Sequence, residues 1–448
     1  MPATAGLTRS QRLDRLPFTR QHGRLLAGSG VGWALDAMDV GLVSFILAAL
    51  AVQWSLSPGQ LSAIASIGFV GMAIGASLGG LLADRIGRRQ VFALTLLVYG
   101  VATGASALVT GLGLLLVLRF LVGLGLGAEL PVASTLVSEY APARIRGRVV
   151  VALEAFWALG WLMAAVIGYL VVPASANGWR WAFALGMVPA AYAIVVRWGL
   201  PESVRFLERK GRHTEAEEAV RRFEVSAGVE SPPAQPSAVA ADEPARAEQP
   251  APRWTALWSP TYRRRTIALW LTWFGTNFSY YGAFIWLPSL LVASGFTLVK
   301  SFEYTLIITL AQLPGYAVSA ILIERWGRRP TLATFLAGSA ASAVAFGLAD
   351  SVPTVLAAGM ALSFFNLGAW GALYAVTPEV YPTDLRATGA GSAAAFGRLA
   401  SIIAPLLVPL LSSSTGLTGL FTVFAVAFAV AAVAALGLPE WRGRALED

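Results

Sequence analysis

The segment 79–89, GGLLADRIGRR, returns 240 residues later as AILIERWGRR at 320–329, which lays Asp84 over Glu324, Gly87 over Gly327 and Arg88 over Arg328. The same offset lays EYAPARIRG over EVYPTDLRATG, so that Glu139, Pro142 and Arg146 fall on Glu379, Pro382 and Arg386. Two separate loops that share one offset predict a duplicated unit, each loop holding the same place in its own half.

The unit is a membrane unit. Hydrophobic residues make up 56% of the 448 positions and charged residues 13%, against about 25% charged in a soluble domain. Twelve apolar stretches have spanning length, at about 25–50, 60–83, 90–109, 112–138, 148–171, 179–199, 265–294, 302–323, 330–349, 353–376, 386–412 and 416–438. Six lie on each side of a polar segment. The expected fold is an all-α membrane protein of twelve transmembrane helices in two pseudo-symmetric six-helix bundles. Its organisation is a cytoplasmic amino-terminal segment 1–24, a bundle 25–199, a cytoplasmic linker 200–264, a bundle 265–438 and a cytoplasmic tail 439–448.

A net charge of +8 raises the question of nucleic acid, and the distribution of charge answers it. Nearly all the basic residues fall in the two ends and in alternate loops, while only Arg180 and Lys300 occupy the opposite loops. That asymmetry is the positive-inside rule, which predicts cytoplasmic termini and a cytoplasmic central loop and lends no support to a nucleic-acid partner. The amino-terminal basic run is also suited to anionic lipid. The first apolar stretch is too long for a signal-peptide core and reads as a retained helix. There are no cysteines, which excludes disulfides and thiolate chemistry. His22 and His213 sit in polar segments away from any metal-ligand or nucleophile constellation, so neither an enzyme nor a cofactor is expected.

Between the halves, Ser226 to Pro252 is rich in Pro, Ala and Glu and reads as a disordered tether. Just before it, PESVRFLERKGRHTEAEEAV reads as a short amphipathic helix with Val204, Phe206 and Leu207 toward the membrane. Glycines recur at 68, 71, 75 and 79 and at 123, 125 and 127, where they permit close helix approach. A phosphate-binding loop is a poor reading of GLGLG, since it lies inside an apolar span and no GK[ST] follows.

The pattern G-x-L-x-D-R-x-G-R-R with its weaker second copy resembles the signature loop of the major facilitator superfamily. The likeness implies that Gly80, Asp84, Arg85, Gly87, Arg88 and Arg89, with Glu139, Glu324, Arg325, Arg328, Glu379 and Arg386, gate the two halves on the cytoplasmic side. Asp84 is then expected to face a helix amino terminus or a basic partner across the interface, while the arginines bind carboxylates or lipid phosphate. PESVRFLERKGR resembles sugar-porter-like members, and YPTDLRATGAG resembles the organic-ion and sugar-porter branches. A narrower likeness runs through GWALDAMDVGLVSFILAAL, GLGLGAELPVASTLVSE, SFEYTLIITLAQLPGY and LSFFNLGAWGALYAVTPEVYPTDLRATGAG, which are similar to bacterial niacin permeases and cover over half of the membrane domain. The long proline-rich linker departs from that pattern.

Charge inside the bilayer costs roughly 2.5 to 3.5 kcal/mol even on insertion scales, so each intramembrane ion calls for a partner or a role. Asp36 and Asp39 share a face of the first helix. Asp39 and Arg119 reach similar depth and are expected to pair. The resemblance matches Asp39 to the first-helix acid of proton-coupled sugar porters, whose partner is an arginine on the fourth helix. It implies coupling by exchange, in which protonation of Asp39 frees Arg119; the alternative is a static pair that fixes helix packing. Glu129 and Glu154 are the other buried acids and join Asp36 in the candidate proton path.

Glu154, Trp157 and Trp161 form one stripe, Trp270, Trp273, Asn277 and Tyr281 a second with Tyr280 beside it, and Asn366, Trp370 and Tyr374 a third. Such stripes are commonly packing or interfacial anchors. Their interleaved polar groups at mid-span favour a cavity lining. Arg398 lies near mid-membrane with no acid on its own helix. In related animal organic-ion carriers this position is similar to an arginine in anion carriers and an aspartate in cation carriers. Binding a substrate carboxylate suits a guanidinium, and pairing with Glu129 or Asp36 is the competing role.

The inventory suits a small planar aromatic carboxylate, with amides such as Asn277, Gln312 or Asn366 for a ring nitrogen. The niacin-permease likeness implies nicotinate, imported with a proton by a monomer in the cell (inner) membrane. Transport of benzoate-like acids and a non-transporting receptor remain alternatives.

Overall fold

The computed structural model describes residues 7–229 and 254–440, apart from the side chains of Leu130, Pro131, Trp254, Thr383, Asp384 and Ala387. A short helix α1 (Arg9–Asp14) precedes five helices of crossing length: α2 (Arg20–Gln53), α3 (Pro58–Ile86), α4 (Arg88–Ser106), α5 (Leu112–Tyr140) and α6 (Arg146–Leu170). The sixth crossing is divided at Gly186 and Met187 into α7 (Gly178–Leu185) and α8 (Val188–Gly199), and is followed by α9 (Val204–Arg209) and α10 (His213–Ser226). The second half holds α11 (Arg263–Ala293), a crossing bent at Ala311 into α12 (Leu298–Leu310) and α13 (Gln312–Trp326), then α14 (Arg328–Gly347), α15 (Val352–Val376) and α16 (Thr383–Ala435). At Gly416 (φ 68°, ψ −173°) α16 leaves helical geometry. Its two arms are the last two crossings expected from the sequence.

Nine stretches among the described residues are long and apolar enough to span a bilayer. α4 and α11 have the length but lie outside that set, and the last of the nine, Thr388–Ala435, contains both arms of α16. The twelve-crossing reading stands on these elements.

Helix starts follow local chemistry. Ser57 accepts from the Gln60 backbone N–H while the Gln60 side chain accepts from the Ser57 N–H, with Pro58 in the first turn of α3. Within the first half α3 packs on α5 through glycines: a Cβ at Gly123 would collide with the Gly68 backbone, and one at Gly127 with the Met72 backbone. With so little difference between lipid and side-chain apolarity, this backbone approach supplies the packing that holds the pair. α2 packs on α6, and in the second half α11 packs on α16 and α14 on α15. The halves meet where α2 touches α11, α3 touches α16, and α6 touches α12 and α15.

A third repeated element emerges at the basic end. Leu200-Pro201-Glu202 and Leu438-Pro439-Glu440 occupy equivalent places, each carboxylate capping the helix that follows a signature glycine. Glu202 accepts from the Arg89 backbone N–H at 3.1 Å, and Glu440 accepts from the N–H groups of Arg329 at 2.8 Å and Arg328 at 3.4 Å. Gly87 (φ 104°) and Gly327 (φ 103°) turn the chain there in the region glycine tolerates.

The single amphipathic helix expected after the sixth crossing is two helices, because Gly211 (φ 70°) breaks α9 from α10. Val204, Phe206 and Leu207 are buried, with Phe206 against Gly87. α1 straps this pair: Arg9 bonds Glu208 and Glu217, Arg12 bonds Glu217 and the buried Glu224, and Asp14 pairs with Arg146 at the start of α6. The hydrogen bonds with Glu224 hold the Arg12 pKa above its ordinary value. Apart from its first residues, Ser226 to Val229, the expected tether lies outside the described residues, as does the tail beyond Glu440.

Candidate functional site

Between the halves lies a cavity of about 390 Å³. One wall is aromatic: Trp33 of α2 and Trp157 of α6 face Trp273 and Tyr281 of α11, Tyr316 of α13, and Trp370 and Tyr374 of α15. The other wall is small-residue backbone, with Ala73, Ala76 and Ser77 of α3, Gly127 of α5, and Gly391, Ala394 and Ala395 of α16. The lining thus combines bulky rings with small residues, and ring faces of this kind suit a flat aromatic molecule. Neighbouring rings hold each other in place: Trp33 lies 4.9 Å from Trp157, and Trp273 lies 5.8 Å from Trp370 and 5.4 Å from Tyr374.

Three polar side chains of the sequence reading reach this lining, namely Arg398, Asn277 and Glu154. Arg398 forms no ion pair among the described residues, and its Nη1 lies 3.9 Å from Met72 Sδ. The competing pairing with Glu129 or Asp36 is therefore not made. Asn277 is largely committed, since its amide donates to the Trp273 carbonyl at 2.8 Å and its oxygen accepts from Ser401 at 3.0 Å. Of the lining indoles, Trp370 keeps its Nε1–H without a partner and Trp33 stands beside Glu154, whereas Trp157 donates to Tyr280 at 3.1 Å and Trp273 to Thr377 at 3.0 Å. A guanidinium free of any ion pair among the described residues, set in a low-dielectric wall, offers what a carboxylate accepts.

Six of the ten expected binding residues line the cavity: Arg398, Trp157, Asn277, Tyr281, Trp370 and Tyr374. The other four do not. Trp161 and Tyr280 stand behind the wall, 5.7 Å apart and both near Phe284. Gln312 and Asn366 are fully buried off the lining with unpartnered amides. Helical spacing put them on the right helices, but neighbouring rings occupy the inward-facing surface. Trp33, Ser77 and Tyr316 line the cavity without having been expected. Trp33 precedes Asp36 by three positions and Tyr316 follows Gln312 by four, so one-turn spacing from those polar residues was the available signal.

The expected pair is formed: Arg119 Nη1 donates to Asp39 Oδ2 at 3.2 Å, with both groups buried. Thr103 donates to Asp39 Oδ1 and accepts from Arg119 Nη2 at 3.1 Å, Ser106 accepts at 3.4 Å, and the Phe183 ring lies 4.8 Å from the guanidinium carbon. The pair borders a void of about 30 Å³ that Met72 also lines. Met72 thus touches Arg398 and also borders the space of the coupled pair. Asp36 and Glu129, both fully buried, are neighbours of each other, and Glu129 Oε1 sits against Gly32 of α2.

At the basic end Asp84 does not reach across the halves. It accepts from Arg88 in its own loop and from Arg209 of α9, each at 3.0 Å, because α9 folds under the first bundle and brings a cation nearer than any on the second. The helix-capping role falls to Glu202. Glu139 accepts from Ser203, whereas its counterpart Glu379 pairs with Arg328 at 2.9 Å. Arg148 and Glu324 supply the bond between halves, at 3.1 Å and largely exposed. At the opposite end Phe45 of α2 meets Phe302 of α12 at 5.1 Å. Arg85, Arg325 and Arg386 form no ion pair among the described residues, and Gly80 faces open space.

Residues 23–448 match the family described as "Sugar (and other) transporter". The "Niacin transporter NiaP" of Acinetobacter baylyi is 49% identical over 439 residues, 98% of this chain and 98% of the relative. The "Putative niacin/nicotinamide transporter NiaP" of Bacillus subtilis is 47% identical over 417 residues, 92% of this chain and 95% of the relative. Among solved structures, a partially occluded inward open form of the xylose transporter XylE from E. coli superposes with a TM-score of 0.73 at 17% identity, covering 92% of this chain and 98% of that one.

Proposed function

The chain belongs to the sugar (and other) transporter family of the major facilitator superfamily, and on that premise we propose that it imports nicotinate together with a proton by alternating access. The observation that carries the reading is Arg398, a guanidinium without an ion-pair partner among the described residues, in the lining of an aromatic cavity. Trp157, Tyr281, Trp370 and Tyr374 take the ring faces, and Arg398 takes the carboxylate. The identity to a relative named as a niacin transporter and to one named for niacin and nicotinamide supports niacin, and Arg398 favours the acid over the amide.

Import of a lone anion into a negative-inside cell works against roughly 2.3 kcal/mol per 100 mV, and one accompanying proton removes that cost. Asp39 and Arg119 hold the coupling proton equilibrium, with Asp36, Glu129 and Glu154 continuing the acid path toward the cavity. The basic end is cytoplasmic, both termini lie there, and the two bundles 25–199 and 265–438 rock about the cavity as a monomer. The signature loops, through Arg148 and Glu324 and the Asp84 and Arg328 pairs, set the closure of that end.

A second reading is favoured by one observation. Gln312 and Asn366 do not line the slot and Asn277 is committed, so the expected amides leave the ring nitrogen unread, and benzoate-like acids then fit equally. The deciding experiment is uptake of labelled nicotinate into proteoliposomes with an imposed proton gradient, with and without a protonophore. Accumulation that collapses with the gradient is expected; accumulation undiminished by the protonophore overturns the coupling.

A further inference from the structure

We propose that Glu154 meets the ring nitrogen of the substrate, making the slot amphoteric, with Arg398 for the carboxylate and Glu154 for a basic or hydrogen-bond-accepting heteroaromatic nitrogen. The inference rests on the nicotinate reading and deepens it. Glu154 is one turn from Trp157 on α6, is only 2% exposed, and yet lines the cavity. It forms no ion pair among the described residues, and the one side chain placed to donate to it is the Trp33 indole, which leaves the rest of its hydrogen-bonding capacity open toward the cavity. A carboxyl buried at this depth without a cation is costly unless something completes its hydrogen bonding. The slot is where that completion is available.

The chemistry is insensitive to where one proton sits. A carboxylic O–H donates to a neutral pyridine nitrogen, and a carboxylate accepts from a pyridinium N–H; both place the same proton between the same two atoms. An indole N–H serves only the neutral nitrogen. With the Asn277 amide committed, Glu154 is the acid of the lining suited to both forms, and unlike the lining hydroxyls it carries the charge that a pyridinium N–H calls for. Arg398 and Glu154 come from opposite halves of the chain, so a ligand spanning them bridges α6 and α16 and favours the state in which those helices close on it.

Glu154 also turns the ambiguity among aromatic acids into a specificity. Benzoate has the same outline and carboxylate but offers a C–H where nicotinate has nitrogen, and it leaves the buried acid unpaired.

The test is competition with labelled nicotinate on the full-length protein in detergent or proteoliposomes, using benzoate and N-methylnicotinate, whose nitrogen is blocked. The wild type is expected to prefer nicotinate over each by about tenfold or more. In Glu154→Leu the nicotinate-to-benzoate preference falls by about tenfold or more, and in Glu154→Gln, whose amide still donates to neutral nitrogen, much of it is kept. A wild type that binds benzoate as tightly as nicotinate overturns the proposal without recourse to any variant. An unchanged preference in Glu154→Leu overturns it as well. A wild type that binds neither acid overturns the nicotinate reading together with this one, whereas nicotinate binding with no discrimination overturns this one alone.

Discussion

Asp39 Oδ2 and Arg119 Nη1 stand 3.2 Å apart inside the first bundle, and Met72, which borders their void, also touches Arg398 of the second bundle at 3.9 Å. A change of charge at the pair is therefore one side chain away from the cation on the cavity wall. In the proposed coupling, proton exchange at Asp39 would alter the constraint on Arg119 beside the void that Met72 also lines, a physical route between the halves.

The first prediction concerns that pair. Asp39→Asn keeps nicotinate exchange and loses uphill accumulation, because the amide cannot cycle a proton. Arg119→Ala destabilises the protein by roughly 3–5 kcal/mol, since it strands a buried carboxylate. Counterflow and gradient-driven uptake in proteoliposomes measure the first, thermal unfolding the second. Uphill accumulation by Asp39→Asn at the wild-type level would sink the coupling role.

Arg398→Ala is expected to weaken nicotinate binding by about a hundredfold, and Arg398→Lys to recover only part of it, because a point charge replaces a planar fork of donors. Trp33, Trp157, Trp273 and Trp370 surround the cavity, so quenching of intrinsic fluorescence on titration reads the affinity directly. An Arg398→Ala protein that titrates like the wild type contradicts the assignment.

Glu202→Ala removes a carboxylate cap from α4 and costs about 1 kcal/mol, with a matching fall in the midpoint of thermal unfolding. Glu440→Ala is expected to do the same to α14. Loss at one cap with none at the other would show that the two halves do not share this device.

Gly123→Val collides with the Gly68 backbone and is expected to abolish folded protein, judged by monodisperse yield in detergent. Gly80→Ala meets open space and should fold with an unfolding midpoint close to the wild type. Equal yields from both substitutions would exclude the close α3–α5 approach.

Arg148 and Glu324 are largely exposed, so separating them costs only about 0–1 kcal/mol of stability. Their effect is expected in transport rate: each single charge reversal changes the rate and the double reversal, Arg148→Glu with Glu324→Arg, restores it. Failure of restoration would remove this bond from the closing mechanism.

The architecture was legible because periodicity and duplication are properties of the chain. Gly87 and Gly327 announce the same left-handed turn in both halves, and the apolar stretches return as crossings. Asp39 and Arg119 were also readable, since depth along two helices fixes whether two heads can meet. The wall of the cavity was harder. Trp157 and Trp161 lie one turn apart on the same face, yet Trp157 lines the slot and Trp161 backs it, because the rings of Tyr280 and Phe284 cover Trp161. Gln312 and Tyr316 divide in the same way on α13. Asp84 turned inward to Arg209 because the linker folds into α9 and α10, a return path that no repeat in the sequence encodes.

The sequence by itself determined that this is a duplicated twelve-helix membrane protein with buried charge at chosen depths, because helical period, hydropathy and charge asymmetry are local and additive along the chain. The tertiary structure alone decided which residues share the cavity, that Arg398 has no ion-pair partner among the described residues and that Glu154 joins it on the wall. That choice depends on the crossing of helices from opposite halves, and crossing is set by how glycines and rings pack in three dimensions.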